Sequence, residues 1–342
     1  MGVKRVMSMY KVGGLFSGVG GIELGFEKQG FDIRWANDCD EYCAKTYQLN
    51  HNHNYILQDI HTLKGSSLEP VDVLTGGFPC QAFSVAGYRK GLKDKRGNLF
   101  YEIVRLIDEL ESKPRVLLLE NVKNFSTHDK GRTLKILREE LESRDYCVFN
   151  HVLNTAEYTS IPQNRERTFI ICFHEGKDAY LDLTQPMTNE FRMLFPPKKV
   201  NKKTDFKKIM DKNVDEKFFY RDDKYMYKDL LRDMKSKDTF YQWRRIHVRE
   251  NKSQLCPTLT ANMGTGGHNV PLILTDNGIR KLTPKECFLL QGFPVSYKLP
   301  TNVANSRLYK QAGNSVTVKL IEVLAGIIKE CLIRSDLKAK TL

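Results

Sequence analysis

The segment Gly76-Gly-Phe-Pro-Cys-Gln-Ala-Phe-Ser-Val-Ala-Gly87 puts a thiol, Cys80, in a loop just after the apolar run Val71 to Thr75. A cysteine that only fills space belongs inside such a run. A thiol becomes a nucleophile when its thiolate is stabilised and it stays accessible. Loops at the C-terminal ends of parallel strands are where open α/β sheets carry chemistry. Pro79 fixes the approach to Cys80, and the glycines permit an unusual path. Glu120 closes the apolar strand Arg115-Val-Leu-Leu-Leu-Glu120, where a carboxylate needs a partner or a proton-transfer role. Arg165 and Arg167, in Gln-Asn-Arg-Glu-Arg, alternate into a strand and are expected on one face, suited to an anion or to orienting Glu120. Taken singly, each has a plainer reading: a structural thiol, a capping or salt-bridged acid, and surface charge.

A second group lies nearer the N-terminus. Leu15-Phe-Ser-Gly-Val-Gly-Gly21 is a glycine-rich turn between strand and helix, where backbone can approach a ligand closely. Gly18 and Gly20 fit the start of a dinucleotide fingerprint, but Glu23 stands where its third glycine belongs, so that fingerprint fails. Asp38 ends the second strand at the place for an acid that grips ribose hydroxyls. Asp59 lies in a loop nearby. Two helix caps would account for these aspartates equally well.

The elements that must position these residues alternate strand and helix. Strands are expected at Lys11–Phe16, Ile33–Asn37, Val71–Thr75, Arg115–Glu120 and Thr168–Phe173, and helices from Ile22 to Gly30, Tyr42–Asn50, Leu99–Glu111 and Thr133–Ser143. This is an α/β pattern with a mainly parallel sheet. After His174 the alternation stops and lysines interleave with aromatics, as in FFYRDDKYMYKD and TFYQWRRIHVRE. From about Pro271 the earlier style resumes, ending in an amphipathic helix, Val316–Cys331. The chain thus divides into an α/β domain over 1–174, a basic insert over 175–270, and a return to the first domain over 271–342. The net charge is +13, and residues 196–252 hold 18 Lys/Arg against 10 Asp/Glu, which favours a polyanionic partner. The 8 cysteines are scattered with no C-x-x-C pair, which argues against zinc and disulfides. MGVKRVMSMYKVGG is too short and polar for a signal peptide, and no stretch approaches a bilayer span. A cytoplasmic, monomeric protein is expected.

LFSGVGG, GGFPCQAFS, LLLENVKNF, QNRERTFIICF, RKLTPKECFLLQGFP and YKQAGNSVTVKLIEVLAGII, in this order, resemble the blocks of bacterial-type DNA (cytosine-5) methyltransferases. The resemblance covers the chain outside residues 175–250. It implies a Rossmann-like S-adenosylmethionine-dependent methyltransferase fold with a smaller, irregular target-recognition domain. By the same resemblance Cys80 attacks C6 of a flipped-out cytosine, Glu120 binds the N3 edge, Arg167 helps hold it, and Arg165 positions the active-site loop. Phe16 would lie on the adenine, Gly18, Gly20 and Gly21 would shape the methionine pocket, Asp38 would hold the ribose, and Asp59 with Ile60 would meet the adenine. Phe78, Pro79 and Leu99 border the cofactor, and Asn314, Ser315 and Val316 close its methionine end. No metal is implied.

Double-stranded DNA is the implied partner, and the implied setting is a restriction-modification system, in which a cognate endonuclease would act separately, or a solitary or phage methylase. Ser84 and Arg96 would flank the cysteine loop on DNA, and Arg244, Arg245, Thr258 and Leu259 would belong to the recognition domain. The sequence departs from the family pattern at Gly14, where an acid is common, at Asp38 in place of Glu, at Cys39 and at Gln58. The rival readings are a tRNA cytosine-5 methyltransferase, a non-catalytic DNA-binding regulator on the same fold, and a nicotinamide-dependent oxidoreductase.

Overall fold

The computed structural model describes residues 9–79, 99–179, 184–244, 246–264 and 270–341. Cys80, Ser84, Arg96 and Arg245 lie outside the described residues. The first half runs β1 (Lys11–Leu15), α1 (Gly21–Glu27), β2 (Asp32–Asp38), α2 (Glu41–Gln48), β3 (Asn54–Leu57) and β4 (Val73–Gly77). It continues with α3 (Leu99–Glu109), β5 (Val116–Val122), α4 (Arg132–Glu142), β6 (Tyr146–Asn154), α5 (Thr155–Tyr158), β7 (Gln163–Asn164) and β8 (Glu166–His174). Among the described residues the central sheet has seven strands in the order β3-β2-β1-β4-β5-β8-β6, and β8 alone runs against the others.

Both faces of this sheet are covered, which is why its central strands are continuously apolar. Along β5, Val116 and Leu118 join Val12 and Phe173 on one face, while Leu117 and Leu119 join Leu74 and Ile170 on the other. The period of two sends alternate side chains to opposite layers. The first layer is closed by α10 (Val318–Ala339) through Leu324, Ile328 and Leu332, and the second by α3 through Ile103 and Ile107. Each such side chain contributes about 1.5–3 kcal/mol by leaving water.

The expected strands and helices are present, most with ends displaced by a few residues, while the C-terminal helix expected over Val316–Cys331 runs on to Ala339. β3 and β6 were not expected. Both are edge strands, and β6 carries Asn150 and His151 at half-buried positions that break an apolar alternation. Partial solvation at an edge removes the pattern by which a strand is read.

The remaining elements are α6 (Pro186–Leu194), α7 (Tyr227–Asp233), β9 (Tyr241–Arg244), β10 (His247–Glu250), β11 (Cys256–Pro257), β12 (Leu272–Thr275), β13 (Gly278–Lys281), α8 (Pro284–Leu290) and α9 (Asn305–Asn314). They redraw the boundaries expected at 174 and 270. Met187 and Phe191 of α6 pack into the first core beside α10, so this helix belongs to the large layer structure. β12 and β13 complete a four-stranded antiparallel sheet with β9 and β10, so the smaller lobe extends past 270 to Lys281.

A buried ion pair joins the lobe to α8. Arg280 of β13 donates from Nη2 to Glu286 Oε1 at 2.6 Å and from Nη1 to Oε2 at 2.8 Å, and both residues are almost fully buried. Glu286 also accepts from the amides of Thr283 at 2.7 Å and Asp211 at 2.9 Å, closing a capping box at the start of α8. Removing one charge strands the other. Arg280→Leu should therefore destabilise by about 3–5 kcal/mol in chemical denaturation, and Arg280→Leu/Glu286→Leu should recover part of that loss.

Candidate active site

The sheet order reverses between β1 and β4, and the C-terminal ends of β1, β2, β4 and β5 gather at that crevice. Ligands of open α/β sheets bind at such a reversal. After β1 the chain turns tightly: Phe16 has φ 54°, Gly18 54° and Gly20 79°. A Cβ added to Gly18 would meet nothing within 4 Å, so the turn borders open space there. The Gly18 amide donates to Asp38 Oδ2 at 2.8 Å, and the Asp40 amide to Asp38 Oδ1 at 2.9 Å. Burial lifts the Asp38 carboxyl above its ordinary range, with these two amides acting against the rise.

The other residues expected at the cofactor differ in how exposed they are. Phe16 is half-buried against the second core layer, and Leu99 is half-buried at the start of α3. Asp59 is exposed, and its Oδ1 accepts from the His61 amide at 2.9 Å and faces His61 Nδ1 at 2.7 Å. These bonds, the amide first, hold its carboxyl below the usual range. Ile60 is buried. A Cβ on Gly21 would come within 2.6 Å of Ser315 Oγ, so the turn touches the Gln-Ala-Gly-Asn-Ser segment. Asn314 is exposed at the end of α9, whereas Val316 is in the core. Phe78 differs from the expectation. Its ring is 2 % exposed, 5.5 Å from that of Phe125 and nearly perpendicular to it, so it is packed inward while Pro79 is exposed.

Glu120 stands at the mouth of β5, opposite Gly77 in the register. A Cβ on Gly77 would lie 3.4 Å from Glu120 Oε2, so the carboxylate borders the strand end that leads to Cys80. Arg167, on β8, pairs through Nε with Glu120 Oε1 at 2.9 Å, and both side chains are largely buried. Desolvation raises the Glu120 pKa, and the charges of Arg167 and Arg165 oppose that rise. Asn121 fixes the same corner: its Nδ2 donates to the Phe78 carbonyl at 3.0 Å.

Arg165 and Arg167 both lie near Glu120 but take different partners. Arg165 lies between β7 and β8, fully buried, and its guanidinium reaches backbone. Nη1 donates to Leu259 O at 2.7 Å, and Nη2 to Gly313 O at 3.1 Å and Ser315 O at 2.5 Å. The strand pairing breaks at Arg165, between the short β7 and β8, and the two guanidiniums stay near each other and near Glu120 while taking different partners. Leu259 is likewise not a surface residue. Its side chain is wholly buried, and its backbone is taken up by Arg165 and by Gln163, whose Oε1 accepts the Leu259 amide at 3.2 Å.

Beside this latch the smaller lobe opens a polar cavity of about 310 Å³, lined by Asn164, Gln242, Arg244, Arg249, Thr258 and Thr260 among others. Arg244 Nη2 donates to Gln242 Oε1 at 3.0 Å, and Thr258 Oγ1 to the Asn164 carbonyl at 2.6 Å. Arg249 and Gln242 are directly paired across the β9–β10 hairpin. Sequence reading missed Gln242 and Arg249. The alternation of basic residues in WRRIHVRE is the signal that could have found them. Three potential metal-binding side chains come together among the described residues at Glu27, His51 and His53, a group that contains none of the residues above.

Residues 10–330 match the model of the C-5 cytosine-specific DNA methylase family. The chain is 48% identical over 331 residues to the type II methyltransferase M.Bsp6I of Bacillus sp. (strain RFL6), covering 95% of this chain and 100% of that one. It is 34% identical to the type II methyltransferase M.HhaI of Haemophilus parahaemolyticus, covering 91% of each. The fold is also that of the S. pombe Dnmt2 methyltransferase crystal structure, with a TM-score of 0.71 and 19% identity over 94% of this chain and 99% of that one. The chain belongs to the C-5 cytosine-specific DNA methylase family and is a DNA cytosine-5 methyltransferase.

Proposed function

We propose that Cys80, Glu120 and Arg167 carry the reaction, with S-adenosylmethionine as methyl donor and a cytosine rotated out of a DNA duplex as acceptor. The observation that carries this reading is Glu120: a buried carboxyl of raised pKa, held by Arg167 and adjoining the strand end that leads to Cys80. Cytosine C5 is a weak nucleophile until C6 is attacked. The Cys80 thiolate forms a bond to C6, and the electron pair of the C5–C6 double bond moves towards C5. The protonated Glu120 donates to N3, and its other oxygen accepts from the exocyclic amino group, so negative charge developing on the ring is neutralised. Arg167 keeps the carboxyl in place and on the N3 edge.

S-adenosylmethionine, when bound, supplies an electrophilic methyl group. Loss of the C5 proton to water then restores the double bond and expels Cys80 as its thiolate, and N3 returns its proton to Glu120. The residues at the strand ends fit that cofactor: Asp38 offers a carboxylate already ordered by two amides, and the Phe16–Gly21 turn offers open backbone. Asp59, Ile60, Pro79, Leu99, Asn314 and Ser315 complete the proposed pocket, with Phe78 supporting it from behind. A base inside a duplex is out of reach of this site, so it must be extruded. Ser84, Arg96 and Arg245 are proposed on the DNA, and the Gln242–Arg244–Arg249–Thr258 cavity on base edges in a groove. A cytosolic location, action as a monomer and a separately acting endonuclease belong to the same proposal. No helix among the described residues is long and apolar enough to cross a membrane.

Duplex DNA bearing 5-fluorocytosine in the target site should become covalently attached in the presence of S-adenosylmethionine, because fluorine blocks the final proton loss. Denaturing gels should show the adduct, and Cys80→Ser should abolish it. Methylation of tRNA with none of duplex DNA would overturn the reading.

Glu120→Gln keeps hydrogen-bonding capacity but cannot give up a proton. Single-turnover rates should fall by about 10²–10⁴-fold with DNA binding little changed. Because the raised pKa keeps the native carboxyl protonated at higher pH, the wild-type rate should also decline as pH rises through that pKa. The Gln variant should lack this decline.

Arg249→Ala should weaken cognate binding by about 1–3 kcal/mol and relax base preference at one position. Competition binding against substituted duplexes would measure both effects.

A further inference from the structure

Glu23 is a buried acid that the mechanism leaves unused. It lies in the first turn of α1 and is completely buried, and only the Ser17 hydroxyl and its own backbone amide stand near its carboxylate, neither in good hydrogen-bond geometry. Buried polar atoms are almost always paired, and an unpaired buried carboxylate is costly. Burial accordingly lifts its pKa to about 7, with Ser17 pulling the other way.

Its position is informative. A Cβ built on Gly14, near the end of β1, would stand 2.1 Å from Glu23 Oε1 and 2.7 Å from Ser17 Oγ. The carboxyl therefore fills the place that a side chain at position 14 would occupy, directly behind the Phe16–Gly21 turn. Position 14 is also where this sequence has glycine in place of the acid common in the family pattern.

We infer that Glu23, reaching in from the helix, supplies the negative charge beneath the turn that balances the cationic methionine end of the cofactor. This rests on S-adenosylmethionine being the methyl donor. The cofactor carries an ammonium and a sulfonium against one carboxylate. In a desolvated site one protein charge acts over several ångströms without touching them. Glu23 is thus a positioning residue acting through the turn.

The groups facing it are Ser17 of the turn, Asp38 at the end of β2, Tyr47 of α2, Tyr55 of β3, and Tyr297. Burial pushes all three tyrosines up, so they stay neutral, and His51, packed against Tyr47, is pushed down to about 4. Near neutral pH the relevant charges are therefore those of Glu23 and Asp38, and substitution at position 23 separates them.

Cofactor binding draws Glu23 into its ionised form, so wild-type affinity for S-adenosylmethionine should rise about tenfold from pH 6 to pH 8, given a free pKa of about 7. Calorimetry in buffers of different ionisation enthalpy should detect proton release. Glu23→Gln should bind S-adenosylmethionine about ten- to hundredfold more weakly at pH 8, with that pH dependence removed. Its binding of 5′-methylthioadenosine, which lacks the methionine cations, should be unchanged.

Unliganded Glu23→Gln should melt above wild type at pH 8. A raised carboxyl pKa means that native stability falls as pH climbs from the ordinary carboxylate range to about 7, and the amide escapes that loss. Gly14→Asp/Glu23→Ala, with the acid returned to the strand, should restore affinity relative to Glu23→Ala. Equal S-adenosylmethionine affinity and pH dependence in Glu23→Gln and wild type would overturn the inference. Failure of wild type to bind S-adenosylmethionine at any pH would instead overturn the cofactor reading on which it rests.

Discussion

The guanidinium of Arg165 donates to the carbonyls of Leu259, Gly313 and Ser315, so one side chain beside the central sheet fixes stretches that lie about 95 to 150 residues away. A planar fork with several donors can meet three carbonyls at once, which a lysine ammonium on a flexible stem does less well. The arrangement is expensive. Burial and the neighbouring Arg167 cation act against the charge, while Glu120 supports it. The three carbonyls offset that cost by leaving most of the cation's donors satisfied, although Nε remains without a partner. Because the same cation sits close enough to lower the Glu120 pKa, Glu120, the small lobe and the Gly313–Ser315 segment share one electrostatic centre.

Around that centre the charges are segregated. The ends of β2 and β5 and the first turn of α1 carry Asp38, Glu120 and Glu23, each with its pKa raised chiefly by burial. They differ in what compensates them: two amides for Asp38, an arginine for Glu120, and for Glu23 only the Ser17 hydroxyl and its own amide in poor geometry. The chain as a whole is strongly basic, and its excess positive charge is concentrated in the 196–252 stretch that forms much of the small lobe. A polyanion is drawn to the lobe, while the crevice at the strand ends favours a cation. One molecule can thus attract DNA and a positively charged cofactor without each competing for the other's site.

The layered sheet was legible because both faces are buried: strands such as Val116–Leu119 are apolar without interruption, and the helices between them are amphipathic. β6 escaped because an edge strand tolerates Asn150 and His151. The lobe boundary at 270 was misdrawn because Leu272–Thr275 is as apolar as a central strand, yet pairs with β9 and β13 in the other sheet. Local pattern reports burial and not the partner. The site residues were visible by type, but their division of labour was not. Arg165 and Arg167, two apart in sequence and both near Glu120, take different partners: backbone carbonyls for one, the Glu120 carboxylate for the other. Glu23 was read only as a broken glycine fingerprint, since nothing in sequence announces that an acid on a helix fills the space above a glycine on a strand.

Thr258 and Leu259 show how closely the small-lobe cavity and the buried Arg165 are joined. Thr258 lines the polar cavity of the small lobe, and its neighbour turns inward and gives its carbonyl to Arg165. A displacement of the cavity wall by DNA would therefore be felt one residue away at the latch, and through it at Gly313 and Ser315. The β9–β10 hairpin on the other wall is free of that constraint. β10 is an edge strand with exposed His247, Arg249 and Glu250. Side chains there can change without disturbing the buried cation. The lobe thus combines an edge fixed by the buried cation with an edge whose side chains are free to vary, the property a base-reading surface needs under the proposed function.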